Sequence, residues 1–373
     1  FGFSDLMKIK DFIDYEQPTD YIVESDRYSD EYRTPVLTAG QSFILGYTNE
    51  KEGIYNKCPC IIFDDFTTSV HYVDFPFKVK SSAMKILTSK HNANLKYCYY
   101  LLLSLSKMPP NHKRQWISTT SEKKHFLPSI DNQVSIVKQL DLVSDIISHY
   151  TMQINYLDNL IKARFVELFG DPLTNPLKLK TKIMTEVCEI IDGDRGKNYP
   201  VADDFKKEDY CLFLNAKNVT CEGFNFDTCM FISKEKDKQL RKGKLTRGDI
   251  VLTTRGTLGN LAFYTDDVPF ENVRINSGMV ILRMKRDIVN EVYFIEQFKM
   301  LLVDIKEKIA SGSAQPQLPI STMNKIDIMI PDIERQRQFA SFVTQVDKSK
   351  LAVQKSLEKT QQLFDSLMQE YFG

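Results

Sequence analysis

Apolar residues recur at steps of three and four along two long stretches of this chain. In the first they fall at Ile136, Leu140, Val143, Ile147, Tyr150, Ile154, Leu157, Ile161, Phe165 and Leu168. In the second, Phe339, Val343, Val346, Val353, Leu357, Phe364 and Tyr371 hold a matching line. Such spacing describes one seam of a helix that packs against another helix. Lys350 and Thr360 interrupt the second seam, as register-setting polar positions do in paired helices. Pro128 and Pro331 stand just before the two stretches, where each pushes its preceding residue into extended backbone. Gly170 follows the last apolar turn of the first stretch, a common place for a helix to stop. Neither stretch contains Pro or Gly inside it. About 38 residues at about 1.5 Å each predict two rods of roughly 57 Å.

The two stretches are copies of one another. A shift of 203 residues lays Pro128 on Pro331, Ile130 on Ile333 and Gln133 on Gln336. Without a gap it also lays Glu167 on Glu370, Phe169 on Phe372 and Gly170 on Gly373. Few positions are identical, yet the register holds for more than forty residues, which marks an internal repeat. A weaker echo joins 7–14, "MKIKDFID", to 183–192, "IMTEVCEIID". The order is therefore unit, helix, unit, helix.

Each unit reads as mixed α+β, strands first and one helix late. In the first, 34–48 carries two glycines among β-formers, 60–68 and 70–79 are strands, and 94–106 is a helix ended by Pro109 and Pro110. In the second, 209–219 is a strand with a polar end, and 242–264 is strand, glycine turn, strand. Residues 276–284 add another strand and 291–309 an amphipathic helix. The expected domains are 1–127, a helix over 128–170, 171–330 opened by a proline-containing linker, and a helix over 331–373.

Composition narrows the function. Lys plus Arg number 49 and Asp plus Glu 49, which argues against indiscriminate polyanion binding. A nucleic-acid partner then requires basic residues gathered locally, or positive charge from another subunit. No apolar run reaches the roughly 18–20 residues of a membrane span, so no membrane partner is expected. Seven cysteines at scattered spacing point to reduced thiols in a cytoplasm. Cys58 and Cys60 lack zinc-knuckle spacing and only five His are present, so no metal site is expected. The chain opens on Phe1 without Met, so its natural start is expected to be trimmed, and no signal peptide is seen.

No catalytic constellation survives inspection. Phosphate-cradling GxGxxG, Walker and GxSxG patterns are absent. Asp64 and Asp65 with 74–80 match a nuclease carboxylate–lysine set only loosely, and no Asn- or Asp-Pro-Pro-aromatic motif for aminomethylation occurs. Polar and basic residues do gather where phosphates and base edges are contacted. Lys113, Arg114 and Gln115 adjoin the single Trp; Arg195, Lys197 and Asn198 lie on a glycine-containing loop. Ser311, Ser313, Gln315 and Gln317 follow a helix, and Lys217 and Arg255 sit at predicted strand ends. Singly, each is an ordinary solvated loop. Their recurrence before both helices, with Ser118 and Thr119 falling on Ser321 and Thr322, raises DNA contact to an even alternative.

On these residues the chain resembles the specificity subunit of type I restriction–modification systems. The resemblance is carried by "TPVLTAGQSFILGYT" (34–48) and "IIFDDFTT" (61–68) in the first unit. In the second it is carried by "LTRGDIVLTTRGTLGN" (245–260), "NSGMVIL" (276–282), "SGSAQPQLPIST" (311–322) and "IPDIERQ" (330–336). It covers essentially the whole chain, although no single motif decides it. The chain departs from the common pattern at "SIDNQ" (129–133), where relatives place an acidic residue beside the glutamine. The loop "PPNHKRQWIST" also lacks the Gln-Pro of the second unit, which weakens the assignment of contacts in the first.

The resemblance implies an α+β fold, with two repeated α/β target recognition domains separated by two long α-helices that form an antiparallel coiled coil. Each domain would read one half of a bipartite double-stranded DNA target, and the helices would set the spacer. The helices would also dock two methyltransferase subunits, which bind S-adenosylmethionine and flip the target adenine. Restriction subunits using ATP and Mg would join for cleavage, leaving this chain non-catalytic and without a cofactor of its own. The implied DNA contacts add Thr67, Thr68, Lys78, Lys80 and Thr254 to the clusters above. The implied partner-helix seam is Val143, Ile147, Ile154, Leu157, Ile161, Val346, Val353, Leu357 and Phe364. Two rivals stand beside this reading: a recognition fragment of a single-chain restriction–methylation enzyme, and a coiled-coil adaptor that binds protein only.

Overall fold

In the computed structural model, residues 6–38, 42–90, 93–106, 114–310 and 317–373 are described, the side chain of residue 310 aside. Both seams become helices of 40 residues, Ile130–Phe169 and Ile333–Phe372, each about 60 Å long. Val143, Ile161, Val346 and Val353 are buried, and Ile147, Ile154, Leu157, Leu357 and Phe364 are half-buried. The two polar interruptions are satisfied. Lys350 Nζ donates to Asp158 Oδ1 of the other helix at 2.6 Å, and Thr360 Oγ1 donates to Ser356 O at 2.8 Å. The first helix stops at Gly170, which has φ +77° and donates its N–H to Val166 O.

The chain folds into two compact units, Phe1–Met152 with Gln354–Gly373 and Gln153–Val353, so each unit includes half of each long helix. Within the first, Tyr371 Oη donates to Gln139 Oε1 at 2.8 Å; within the second, Arg335 donates to Leu168 O at 2.8 Å. The end of one helix thus meets the beginning of the other, and the pair runs antiparallel.

Sheet order repeats between the units. The first has four antiparallel strands in the order Ile13–Glu16, Met84–Ser89, Cys60–Asp64, Val70–Val73. The second has Cys188–Asp192, Met279–Met284, Ile250–Thr253, Leu261–Phe263 in the same order. A three-stranded sheet accompanies each: Ile44–Thr48, Thr34–Leu37, Lys78–Val79 in the first and Phe231–Ile232, Cys211–Phe213, Val273–Arg274 in the second. In both, one outer strand is antiparallel to the middle strand and the other is parallel. One helix, Leu95–Leu105 or Glu291–Ala310, packs between the four-stranded sheet and the long helices.

The repeat extends to buried chemistry. Gln133 and Gln336, matched by the 203-residue shift, are both fully buried. Gln133 accepts the N–H of Asn94 at 2.7 Å and donates to Pro128 O at 2.8 Å. Gln336 accepts the N–H of Asn290 at 2.9 Å and donates to Pro331 O at 2.8 Å. Asn94 and Asn290 each begin the late helix of their unit, accepting from Tyr97 N and Tyr293 N. Tyr97 packs on Phe372 at 5.2 Å between ring centroids, and Tyr293 packs on Phe169 at 5.0 Å. Phe165 and Phe339 complete the cluster around Tyr293. Burial of each such ring contributes about 1.5–3 kcal/mol.

Several expected elements are shorter than the sequence pattern indicates. The 70–79 strand is two pieces, Val70–Val73 and Lys78–Val79, with Pro76 between them supplying no N–H for a ladder. Of 209–219, Cys211–Phe213 joins the sheet; Asn215 then caps a 3-10 turn, Ala216–Asn218, by accepting from Lys217 N at 2.8 Å. Short helices went unseen because they fall below a periodicity window: Ile9–Phe12, Met184–Val187, Lys234–Gln239 and the π-helical turn Trp116–Thr120.

Candidate nucleic-acid interface

In the first unit the site grows from the end of strand Cys60–Asp64. Asp64 Oδ1 accepts the N–H of Phe66 and the Thr67 hydroxyl, at 3.0 and 2.7 Å. This folds a turn in which Thr68 takes φ +61° and is buried. Asp65 and Lys85 are both fully buried, with Asp65 Oδ2 at 3.2 Å from Lys85 Nζ. Asp65 Oδ1 also accepts the backbone N–H groups of Gln115 and Trp116, at 3.0 and 2.8 Å. The carboxylates considered above for nuclease chemistry are therefore both engaged within the fold.

Asp65 fixes the segment that presents Arg114 and Gln115. Arg114 Nε lies 4.0 Å from Asp65 Oδ2, and its side chain remains 56% exposed. Lys80 pairs with Asp26 at the surface and is 3.3 Å from Tyr28 Oη. Lys78 is a correction to the expected contacts. Its side chain is buried, donating to Glu52 O at 2.7 Å and pairing with Glu50 at 2.9 Å, so its charge serves the interior. Lys113 lies outside the described residues.

The second unit builds the same frame. Asp65 N donates to Ala83 O and Gln115 N to Asp65 O; correspondingly, Thr254 N donates to Gly278 O and Leu318 N to Thr254 O. The 203-residue shift therefore sets Arg114 on Gln317, which pairs with Arg255 in an isolated β-bridge. Thr254 is buried and gives its hydroxyl to Gly278 O at 3.0 Å, a positioning arrangement. Arg255 is exposed at the start of a loop.

Across from it, Arg195 donates to Ser277 O at 3.2 Å and to Asp192 Oδ1 at 3.1 Å. Gly193 makes this approach possible, because a Cβ there would lie 2.2 Å from Asn276 O. Asp194 Oδ1 accepts Gly196 N and its Oδ2 accepts Arg241 N, at 2.8 and 2.7 Å. The Gly196 bond is the chief reason its carboxyl titrates below the ordinary range. Lys197 is exposed, and Asn198 donates to Gln239 O at 3.3 Å.

The structure thus gathers Arg195, Thr254, Arg255 and Gln317 around Ser277 and Gly278. Lys217 is exposed and borders the 256–258 loop instead. Ser311, Ser313 and Gln315 lie outside the described residues. Arg241 and Lys242, which the sequence reading did not single out, are exposed beside this surface, with Arg241 N bonded to Asp194 Oδ2. Their signal was available in "RKGK" (241–244), basic residues flanking Gly243, which takes φ +82° beside Ile275. Among the described residues, no group of three His, Cys, Asp or Glu is placed to hold a metal ion. No described helix is long and apolar enough to cross a membrane.

Comparison with known proteins places this geometry. The specificity subunit of the Escherichia coli type I restriction enzyme EcoR124I/EcoR124II is 50% identical over 154 residues. That alignment takes in 38% of this chain and 38% of the relative, so it spans well under half of either. The S subunit of an M. genitalium type I restriction–modification system has a similar fold, with TM-score 0.60 and 16% identity over 100% of this chain and 97% of that one. A chain from a structural study of assembly and conformational transition in the type I R-M system gives TM-score 0.51 and 15% identity, covering 99% of this chain and 98% of that one. The family model described as the type I restriction modification DNA specificity domain matches residues 176–363. With half of its length matched in this way, the chain belongs to the type I restriction–modification DNA specificity family.

Proposed function

We propose that this chain is the DNA-reading subunit of a type I restriction–modification complex and performs no catalysis itself. Each unit reads one half of a bipartite duplex target, and the antiparallel helices set the spacer between the halves. The single observation that carries this reading is the repeated frame. Asp65, Ala83 and Gln115 in one unit, and Thr254, Gly278 and Leu318 in the other, make the same backbone bonds beneath an exposed Arg114 and a bridged Arg255–Gln317 pair. Two copies of one frame, each beneath an exposed arginine, supply one basic reading surface for each half-site.

Docking of two methyltransferase subunits is supported by apolar residues left in solvent on the long helices. Leu142, Tyr156, Leu160, Leu351 and Leu363 are each about half exposed or more. Tyr156 and Leu160 stand one helical turn apart, an exposed apolar pair of the kind a protein partner covers. S-adenosylmethionine then belongs to those methyltransferase partners, ATP and Mg to restriction subunits, and the whole assembly to the cytoplasm.

Arg255→Ala in the complex with the methyltransferase is expected to weaken binding to the methylated target duplex by about 1–3 kcal/mol, relaxing specificity at one position. Fluorescence anisotropy on the target and on single-base variants measures this. A loss below about 0.5 kcal/mol, with unchanged base preference, removes Arg255 from the reading surface.

A further inference from the structure

A cleft of about 690 Å³ opens in the second unit between the 256–258 loop and helix Glu291–Ala310. A smaller pocket of about 180 Å³ continues it along the helix and shares Cys221, Asn260 and Lys306 with it. Lys217 stands on one wall, Lys306 on the other, and Lys299 in the continuation. No carboxylate is among the described residues lining either part. Lysine is thus the charged residue type in the described lining, in a chain with equal numbers of acidic and basic residues.

Two glycines shape the wall. Gly259 has φ +82°, and a Cβ there would lie 2.3 Å from Lys306 Cε, so the absence of a side chain lets the amine rest over the loop. Gly256 has φ +72°, and among the described residues no atom lies within 4 Å of a Cβ placed there. Lys299 is paired with Glu296 at 2.6 Å, whereas Lys217 and Lys306 form no ion pair with a described residue. Arg255 begins the same loop, so the cleft adjoins the reading surface.

We propose that this cleft is a phosphate-backbone site in which Lys306 and Lys217 hold the DNA strand whose bases are presented to Arg255. The inference rests on the DNA-reading function above and adds a backbone site to it. Lysine ammoniums serve as mobile point charges for phosphate, fixing register without reading sequence. Each such contact releases a counterion and steepens the salt dependence of binding by about one.

The test uses the full chain with its methyltransferase and a random-sequence duplex about four helical turns long. Affinity is measured across salt concentration for wild type, Lys306→Gln, Lys217→Gln/Lys306→Gln and Lys348→Gln, the last an exposed lysine on the second long helix. Cys221, the exposed thiol in the cleft, supplies a second readout through maleimide alkylation.

The expected slope of log affinity against log salt falls by about one in Lys306→Gln and about two in the double variant, with Lys348→Gln unchanged. Duplex is expected to slow Cys221 alkylation about fivefold or more, because bound backbone covers the thiol. Salt-dependent binding with the same slope in every variant and an unprotected Cys221 overturns the cleft while leaving the DNA-reading function standing. Absence of salt-dependent duplex binding by the wild type overturns both.

Discussion

Asp65→Ala is expected to destabilise the first unit by about 3–5 kcal/mol. The substitution leaves the Lys85 ammonium, fully buried, facing the space where its partner stood 3.2 Å away. It also strips the acceptor from two backbone N–H groups, those of Gln115 and Trp116. An uncompensated buried charge carries most of the penalty, because removing one partner returns none of the desolvation of the other. Asp65→Ala/Lys85→Met is expected to recover much of the loss by removing the stranded charge, since Met fills a similar volume without polar demand. Urea denaturation followed by tryptophan fluorescence reads this directly, because Trp116 is the single tryptophan and is itself buried in this unit. A loss of under about 1 kcal/mol in Asp65→Ala rules the ion pair out as a determinant of the unit.

Deleting residues 149–155 together with 353–359 is expected to shorten the spacer of the DNA target by about three base pairs without changing either half-site. Seven residues remove about 10.5 Å from each helix, against about 3.4 Å per base pair of duplex. A whole heptad keeps the seam in phase, so the apolar line of each helix still meets the other. The segments are matched across the antiparallel pair, because bonded Asp158 and Lys350 lie three residues after the first segment and three before the second. Methylation mapping of cells carrying the shortened chain measures the spacer. A spacer of unchanged length refutes the helices as a ruler.

Much of this architecture was legible in the sequence. The long helices announce themselves because a two-sided rule, apolar in the seam and polar outside, persists for 40 residues in each. The repeat identified Gln133 and Gln336 as equivalent before their role as buried locks on Asn94 and Asn290 was visible. What stayed hidden depends on contacts between distant residues. Nothing local distinguishes Lys78, buried against Glu50, from Lys80, paired at the surface with Asp26. Asp65 is 20 positions from Lys85 and 50 from Gln115, so its structural use has no local pattern. Lys306 is one more exposed lysine on an amphipathic helix until the fold sets Gly259 beneath it.

A chain with two DNA-reading units, as proposed, would direct methylation to a split target. Methylome sequencing of cells that express this chain with its methyltransferase, and of cells that express the methyltransferase alone, tests it most directly. The account predicts a split motif with methyladenine in each half, present only when this chain is present. A continuous motif, or methylation that persists without the chain, would contradict it.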